Sequence, residues 1–181
     1  MTSDTPIFLI GFMASGKSTL GRALAAAMSG RTFVDIDEAV ESQAGMSVAD
    51  IFATCGEAAF RELETAALRA AAATPGAIVA CGGGTPCHGA NMDMMLAAGT
   101  VVWLQADDAR TIERLRLVPH QRPLVEAVID DDAALLALMH DMNNKRRPFY
   151  SRAHRCFDSS RLDDAAQIEE SVQQFIKEII I

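Results

Sequence analysis

The sequence predicts a three-layer α/β domain, a parallel sheet with helices on both faces. Three observations carry this expectation. Short apolar, β-branched runs recur along the chain and alternate with stretches of helical periodicity, a pattern that implies right-handed crossovers and parallel strands. A strand, a glycine-rich loop and a helix follow one another without interruption between Ile7 and Met28. The chain has 181 residues, 50% hydrophobic and 22% charged, which suits one domain with a sizeable core.

The first strand is Ile7-Phe8-Leu9-Ile10, bounded by Pro6 and Gly11. Gly11-Phe12-Met13-Ala14-Ser15-Gly16-Lys17-Ser18-Thr19 then matches G-x-x-x-x-G-K-[ST], the phosphate-binding P-loop. Leu20, Ala23, Leu24, Ala27 and Met28 recur at helical spacing, so a helix opens at Lys17. Glycines let the backbone approach a polyphosphate, and the N–H groups along Ala14, Ser15, Gly16, Lys17, Ser18 and Thr19 face it. Lys17 reaches the β- and γ-phosphates, and the Ser18 hydroxyl sits on Mg²⁺. This is a nucleoside-triphosphate site.

Gly30-Arg31 breaks the helix, and a second short strand from Thr32 ends at Asp35. Ligands of open α/β sheets bind beyond the carboxyl ends of the strands, so Asp35 and Asp37 point into the crevice of the P-loop. Alternation along an extended strand end places both carboxylates on one side. One would hold a Mg²⁺-bound water and the other would accept a hydrogen bond from a substrate hydroxyl. Asp37 also suits a helix N-cap, since Glu38-Ala39-Val40-Glu41 follows it.

Residues 37 to 73 read as helices with breaks at Gly45 and Gly56, and Ser47-Val48-Ala49-Asp50 resembles a capping box. Phe60-Arg61-Glu62-Leu63-Glu64 lies on the next helix. There Arg61 and Glu64 form an i,i+3 pair, ordinarily a surface ion pair. Ile78-Val79-Ala80 is a third strand, and Gly82, Gly83 and Gly84 at its carboxyl end expose backbone N–H groups to the crevice. A helix near 90–98 leads to a fourth strand, Thr100 to Leu104. A helix from Asp107 to Leu117 carries Arg110 and Arg114, and the Pro-bracketed loop Val118 to Leu124 holds Arg122. Such a basic loop would close over phosphates and bring Arg122 onto the transferring group. An amphipathic helix spans 131–149, with Leu135, Leu138, Met139 and Met142 on its apolar side. Residues 154–158 supply a fifth strand and 165–179 a terminal helix.

A net charge of −8 argues against a nucleic-acid partner, although ten of the sixteen Lys and Arg residues lie between Arg110 and Arg161. No apolar run approaches the ~18 residues needed to span a bilayer, and residues 1–6 lack a signal-peptide pattern. A cytoplasmic protein without a membrane partner is expected. Cys55, Cys81, Cys87 and Cys156 lack metal-ligand spacing and read as reduced, packing cysteines.

A P-loop does not name the phosphate acceptor. Asn144-Lys145-Arg146-Arg147 ends in Arg where a guanine-binding N-K-x-D would end in Asp, which excludes a GTPase reading. Asp37, Arg61, Gly82, Gly83, Gly84 and Arg146 together would offer an acceptor for hydroxyls, forked cations for a carboxylate, and backbone donors. That pocket describes a hydroxylated carboxylic acid.

The ordered set of the P-loop, Asp35-Ile36-Asp37, Phe60-Arg61-Glu62-Leu63-Glu64, Gly82-Gly83-Gly84, Arg122-Pro123-Leu124 and Arg146-Arg147-Pro148-Phe149-Tyr150 resembles shikimate kinase, from about residue 7 to 158. The resemblance implies the P-loop, nucleoside-monophosphate-kinase type of fold, with five parallel strands in the order 2-3-1-4-5. Within a single domain spanning 1–181, residues 37–64 would form the shikimate-binding subdomain and 114–126 the lid. By the same resemblance Lys17, Asp37 and Arg122 would be catalytic, with ATP and Mg²⁺ as cofactors. Ser18 and Asp35 would hold the ion, Asp35 through water. Asp37 would bind the shikimate hydroxyls and assist deprotonation of the 3-hydroxyl. Arg61 and Arg146 would clasp the carboxylate, Phe52 and Phe60 would wall the pocket, and Glu64 would orient Arg61. Arg114 would lie near adenine, with Arg161 also on the nucleotide side, and the chain would act as a monomer on shikimate.

Two departures accompany the resemblance. Ser151-Arg152 stands where the family usually has an acidic residue after the tyrosine, and Phe157-Asp158-Ser159-Ser160-Arg161 lacks the usual proline of the adenine loop. Gluconate or nucleoside-monophosphate phosphorylation is the alternative within the enzyme class. A non-catalytic binding module would be expected to lose Lys17, Asp37 or Arg61, and all three are present.

Overall fold

The computed structural model describes residues 4–117 and 123–180. All five expected strands are present: β1 (Ile7–Ile10), β2 (Thr32–Asp35), β3 (Ala77–Ala80), β4 (Thr100–Gln105) and β5 (Arg155–Asp158). They pair in parallel in the order β2-β3-β1-β4-β5. The helices are α1 (Lys17–Ala27), α2 (Ile36–Ala44), α3 (Val48–Ala72), α4 (Asn91–Ala98), α5 (Asp108–Leu117), α6 (Pro123–Glu126), α7 (Asp132–Tyr150) and α8 (Ala165–Phe175).

Strand β1 is buried along its whole length, which is why it reads as a continuous apolar run. Its side chains alternate between two cores. Phe8 and Ile10 join Ile36, Val40, Phe60, Leu68, Met92 and Met95 from α2, α3 and α4. Ile7 and Leu9 face the other way, onto Leu20, Leu24, Val172 and Phe175 of α1 and α8. A third apolar cluster sets Leu115, Val125, Leu135 and Met139 against Phe12 of the P-loop, so the expected apolar side of α7 packs on the phosphate loop.

Helix α2 ends at Gly45 in the left-handed conformation, and Gly56 breaks α3 at φ 79°, ψ 171°, both at the expected breaks. Ser47 is the N-cap of α3, as the expected capping box requires: its Oγ accepts from Asp50 N at 3.1 Å, and the Asp50 carboxylate takes the Ser47 hydroxyl proton, Oγ to Oδ2 at 2.6 Å, in place of the backbone N–H. One cap differs from expectation. Helix α2 starts at Ile36, so Asp35 is the N-cap and accepts from Asp37 N at 3.0 Å. Asp37 lies inside the first helical turn. The two acids therefore meet through a capped turn and not through strand alternation.

All strands being parallel, β1, β2 and β3 deliver the P-loop, Asp35 and the turn after Ala80 to one edge of the sheet. Among the described residues, no helix is long and apolar enough to cross a membrane.

Candidate active site

The phosphate cradle is built by the loop between β1 and α1. Gly16 is the N-cap of α1 at φ 85°, ψ 15°, a left-handed conformation that favours glycine, and it carries no side-chain cap. The first N–H groups of the helix are thus left for an anion, with the helix dipole behind them. Ala14 also adopts a positive φ of 59°, which bends the loop around the same space. Ser15 is buried within the loop, while Ser18 and Thr19 are exposed on the first turn of α1.

Lys17 bends back over the cradle. Its Nζ donates to Phe12 O at 2.8 Å, Gly11 O at 3.1 Å and Ser15 Oγ at 3.4 Å. Ser18 Oγ donates to Asp35 Oδ2 at 2.6 Å, which places two hard oxygens side by side at the helix start. Mg²⁺ prefers one or two protein oxygens and keeps its remaining waters, so this pair fits the ion.

Asp37 is the most perturbed acid of the crevice. Its pKa rises from 3.8 to about 6, chiefly through desolvation and further through the charges of Asp35 and Glu64, with Lys17 opposing. The carboxylate stays reachable by solvent in the open crevice although protein flanks it closely. At neutral pH it is mainly ionised and basic enough to take up a proton.

Next to Asp37 lies the triple-glycine turn, where close approach explains each glycine. A methyl on Gly82 would stand 3.0 Å from Glu64 Oε1 and 3.2 Å from Asp37 Oδ1. On Gly83 it would meet Arg146 Nη1 at 2.8 Å and Gly11 O of the P-loop at 3.5 Å. On Gly84 it would meet Arg61 Nη2 at 2.8 Å. The turn therefore touches the phosphate loop on one side and two arginines on the other.

Arg61 pairs with Glu64 at 2.8 Å and with Glu57 at 3.2 Å. Burial opposes its charge, but the two glutamates outweigh burial and raise its pKa. Glu64 is fully buried, so the i,i+3 pair is not the surface pair its spacing ordinarily signals. Phe60 is buried beside it, and Phe52, 38% exposed, stacks on Phe60 at 4.6 Å between centroids. Arg146 lies over the Phe12 ring at 5.7 Å.

On the opposite flank, Arg114 Nη1 and Nη2 donate to Ser159 O at 3.0 Å and Ser160 O at 2.9 Å, and Nε donates to Asp163 at 2.9 Å. This guanidinium straps the loop after β5 to the cradle, where it also approaches Ala14 O at 3.5 Å. Arg161 turns instead to the exposed Glu170 at 2.9 Å. Arg152, where the family usually has an acid, pairs with Asp93. Arg122 and the middle of the expected lid, residues 118–122, lie outside the described residues. Of the cysteines, Cys81 is buried, whereas Cys55 and Cys156 are exposed and do not pack as expected.

Thr85 and Asn91 escaped the sequence reading, and Tyr150 entered it only as the end of the Arg146-to-Tyr150 motif, without a role. Thr85 Oγ1 donates to Glu64 Oε1 at 2.5 Å, Asn91 Nδ2 donates to Thr85 O at 3.0 Å, and the Tyr150 hydroxyl donates to Gly83 O at 2.6 Å. Burial raises the Tyr150 pKa, so the phenol remains a donor. Tyr150 had a signal, being four residues past Arg146 on one helix face. Thr85 and Asn91 had none.

A family profile described as "Shikimate kinase" matches residues 13–180. A shikimate kinase of Bacteroides fragilis is 39% identical over 171 residues, covering 94% of each chain. The crystal structure of shikimate kinase from Bacteroides thetaiotaomicron superposes with a TM-score of 0.90 at 35% identity, covering 98% of this chain and 99% of that one. Shikimate kinase from Acinetobacter baumannii, solved in complex with shikimate, gives a TM-score of 0.80 at 28% identity, covering 97% and 93%. Together with a P-loop, two crevice acids and an arginine-lined triple-glycine turn on a 2-3-1-4-5 sheet, these matches show that the chain belongs to the shikimate kinase family.

Proposed function

We propose that the chain phosphorylates the 3-hydroxyl of shikimate with ATP, yielding shikimate 3-phosphate for aromatic amino-acid biosynthesis. The observation that carries the reading is the triple-glycine turn, which abuts the phosphate loop at Gly83 and both arginines at Gly83 and Gly84. A carboxylate held by Arg61 and Arg146 leaves the hydroxyls of the same small molecule facing Asp37 and the cradle. Forked guanidinium groups suit a planar carboxylate better than a lysine would.

Catalysis on this reading is positioning and charge neutralisation. The anionic γ-phosphoryl draws Lys17 off the loop carbonyls, and the ammonium then stabilises charge on the transferring group. Asp37 would orient the 3-hydroxyl and accept its proton as that oxygen bonds to the γ-phosphorus, the bond from the γ-phosphorus to the β-phosphate oxygen breaks, and ADP leaves. Ser18 and Asp35 would hold Mg²⁺, Asp35 through water, and the ion would supply charge neutralisation at the donor phosphates. The backbone from Ala14 to Thr19 cradles the phosphates, Arg114 on α5 supports the adenine side with Arg161 on the loop after β5, and Phe52 and Phe60 wall the acid site. Arg122 would add positive charge from the lid. A monomer in the cytoplasm completes the reading.

The test is a coupled ADP-release assay with ATP and Mg²⁺, comparing shikimate, gluconate, AMP and no acceptor. Release dependent on shikimate alone supports the proposal. Release with gluconate or AMP, and none with shikimate, would overturn the acceptor pocket while leaving the phosphate cradle in place.

A further inference from the structure

The buried polar groups around the triple-glycine turn form a ring that begins and ends on α3. Thr65 Oγ1 donates to Asn91 Oδ1 at 3.1 Å, and Asn91 Nδ2 donates to Thr85 O at 3.0 Å. Thr85 Oγ1 donates to Glu64 Oε1 at 2.5 Å, and the other Glu64 oxygen accepts from Arg61 Nη1 at 2.8 Å. Thr85 and Glu64 are both 0% exposed, and Asn91 is 1% exposed. A buried carboxylate is tolerable only when both oxygens have strong donors. Here one donor is Arg61 and the other is the Thr85 hydroxyl, so the position of Glu64 is a compromise between them.

We propose that Thr85 is a positioning residue for recognition of the acid, setting the direction of Arg61 through Glu64 while the Tyr150 hydroxyl holds the neighbouring Gly83 carbonyl. One turn thereby places Arg61 and Arg146 relative to each other. The proposal rests on the reading that these arginines bind the substrate carboxylate. Thr85→Val keeps the shape and removes the donor, leaving Glu64 Oε1 without its partner. Glu64 then rotates toward Arg61 and draws the guanidinium out of line with the substrate. Nothing on the phosphate side of the crevice changes.

Steady-state kinetics on the full chain test this, with Thr85→Val, Thr85→Ser, Arg61→Ala and the Thr85→Val/Arg61→Ala double variant. Thr85→Val should raise the shikimate KM about 5- to 50-fold and leave kcat and the ATP KM within about twofold. Thr85→Ser, which restores the hydroxyl, should recover the KM to within about threefold. In the Arg61→Ala background Thr85→Val should add less than about twofold, since the relay has lost its end point. An unchanged shikimate KM in Thr85→Val alongside a raised one in Arg61→Ala would overturn the role of Thr85 alone. An unchanged KM in Arg61→Ala would overturn the carboxylate reading, and the relay with it. Should Thr85→Val fold poorly, Thr85→Ala removes the same donor without adding a branched methyl and is judged by the same outcomes.

Discussion

Replacing Gly84 by alanine should impair acid binding while leaving the fold intact. Gly84 sits at φ −93°, ψ −16°, where any L-residue is comfortable. The backbone therefore accepts the methyl, and the unfolded chain loses freedom, a gain of about 0.4–1 kcal/mol in stability. The obstruction comes from Arg61. The new Cβ would lie 2.8 Å from Nη2, 3.0 Å from Nη1 and 3.2 Å from the guanidinium carbon. Ordinary contact begins near ~3.5 Å, so the guanidinium must withdraw by roughly 0.5–1 Å. Its escape is restricted by the 2.8 Å pair with Glu64, itself buried and held by Thr85. Losing one charge-assisted hydrogen bond to the substrate carboxylate costs about 1.5–3 kcal/mol, or about a 10- to 100-fold rise in shikimate KM. The ATP KM should stay within about twofold, and the melting temperature should hold or rise by about 1–4 °C. An unchanged shikimate KM in a folded variant would refute the idea that contact with the turn positions Arg61.

The raised pKa of Asp37 makes two signed predictions. The acid limb of kcat/KM for shikimate should fall off below about pH 6, and a limb near 4 instead would mean that Asp37 does not act as the base. Because the folded pKa exceeds 3.8, the unfolded chain releases its proton first, and stability is lost as pH rises from about 4 to 6. Asp37→Asn should therefore be more stable than the parent by about 1 kcal/mol at pH 8 after allowance for solvent screening, with no difference below about pH 4, as read by urea titration. Lys17→Ala should lower kcat by about a thousandfold or more with shikimate affinity within about threefold, measured by single-turnover transfer and equilibrium binding. Arg61→Lys should raise the shikimate KM about tenfold, since an ammonium cannot make the forked contact; an unaltered KM would remove Arg61 from the clamp. Ser47→Ala should cost about 1 kcal/mol and lower the melting temperature by about 2–4 °C without changing kcat.

Much of the framework was legible because its signals are local. The P-loop is nine consecutive residues, and the cradle it forms depends on backbone angles within that stretch, such as φ 85° at Gly16. Strands β1 and β3 were legible because burial on both faces demands an unbroken apolar run, as in Ile7–Ile10. The breaks at Gly45 and Gly56 and the cap at Ser47 are likewise settled by neighbours two or three residues away. The N-cap of α2 lies two residues earlier than expected because Asp35 and Asp37 both suit the role, and only the strand's end decides which takes it.

What the sequence alone determined is the chemistry of the donor side: a phosphate loop, its lysine and a nearby acid pair. The strand order was within reach only through family resemblance, because the spacing of strands along a chain does not state which of them pair. Tertiary structure decided everything that depends on convergence. It set Arg146 and Arg61 against adjacent glycines of one turn, and it enclosed Glu64 so that a commonplace i,i+3 pair became a buried support. It also gave Thr85 and Tyr150 their partners across the core. The physical reason is that burial and hydrogen-bond partnership belong to the packed assembly, and residues far apart in the chain acquire them only when the sheet brings its carboxyl ends to one edge.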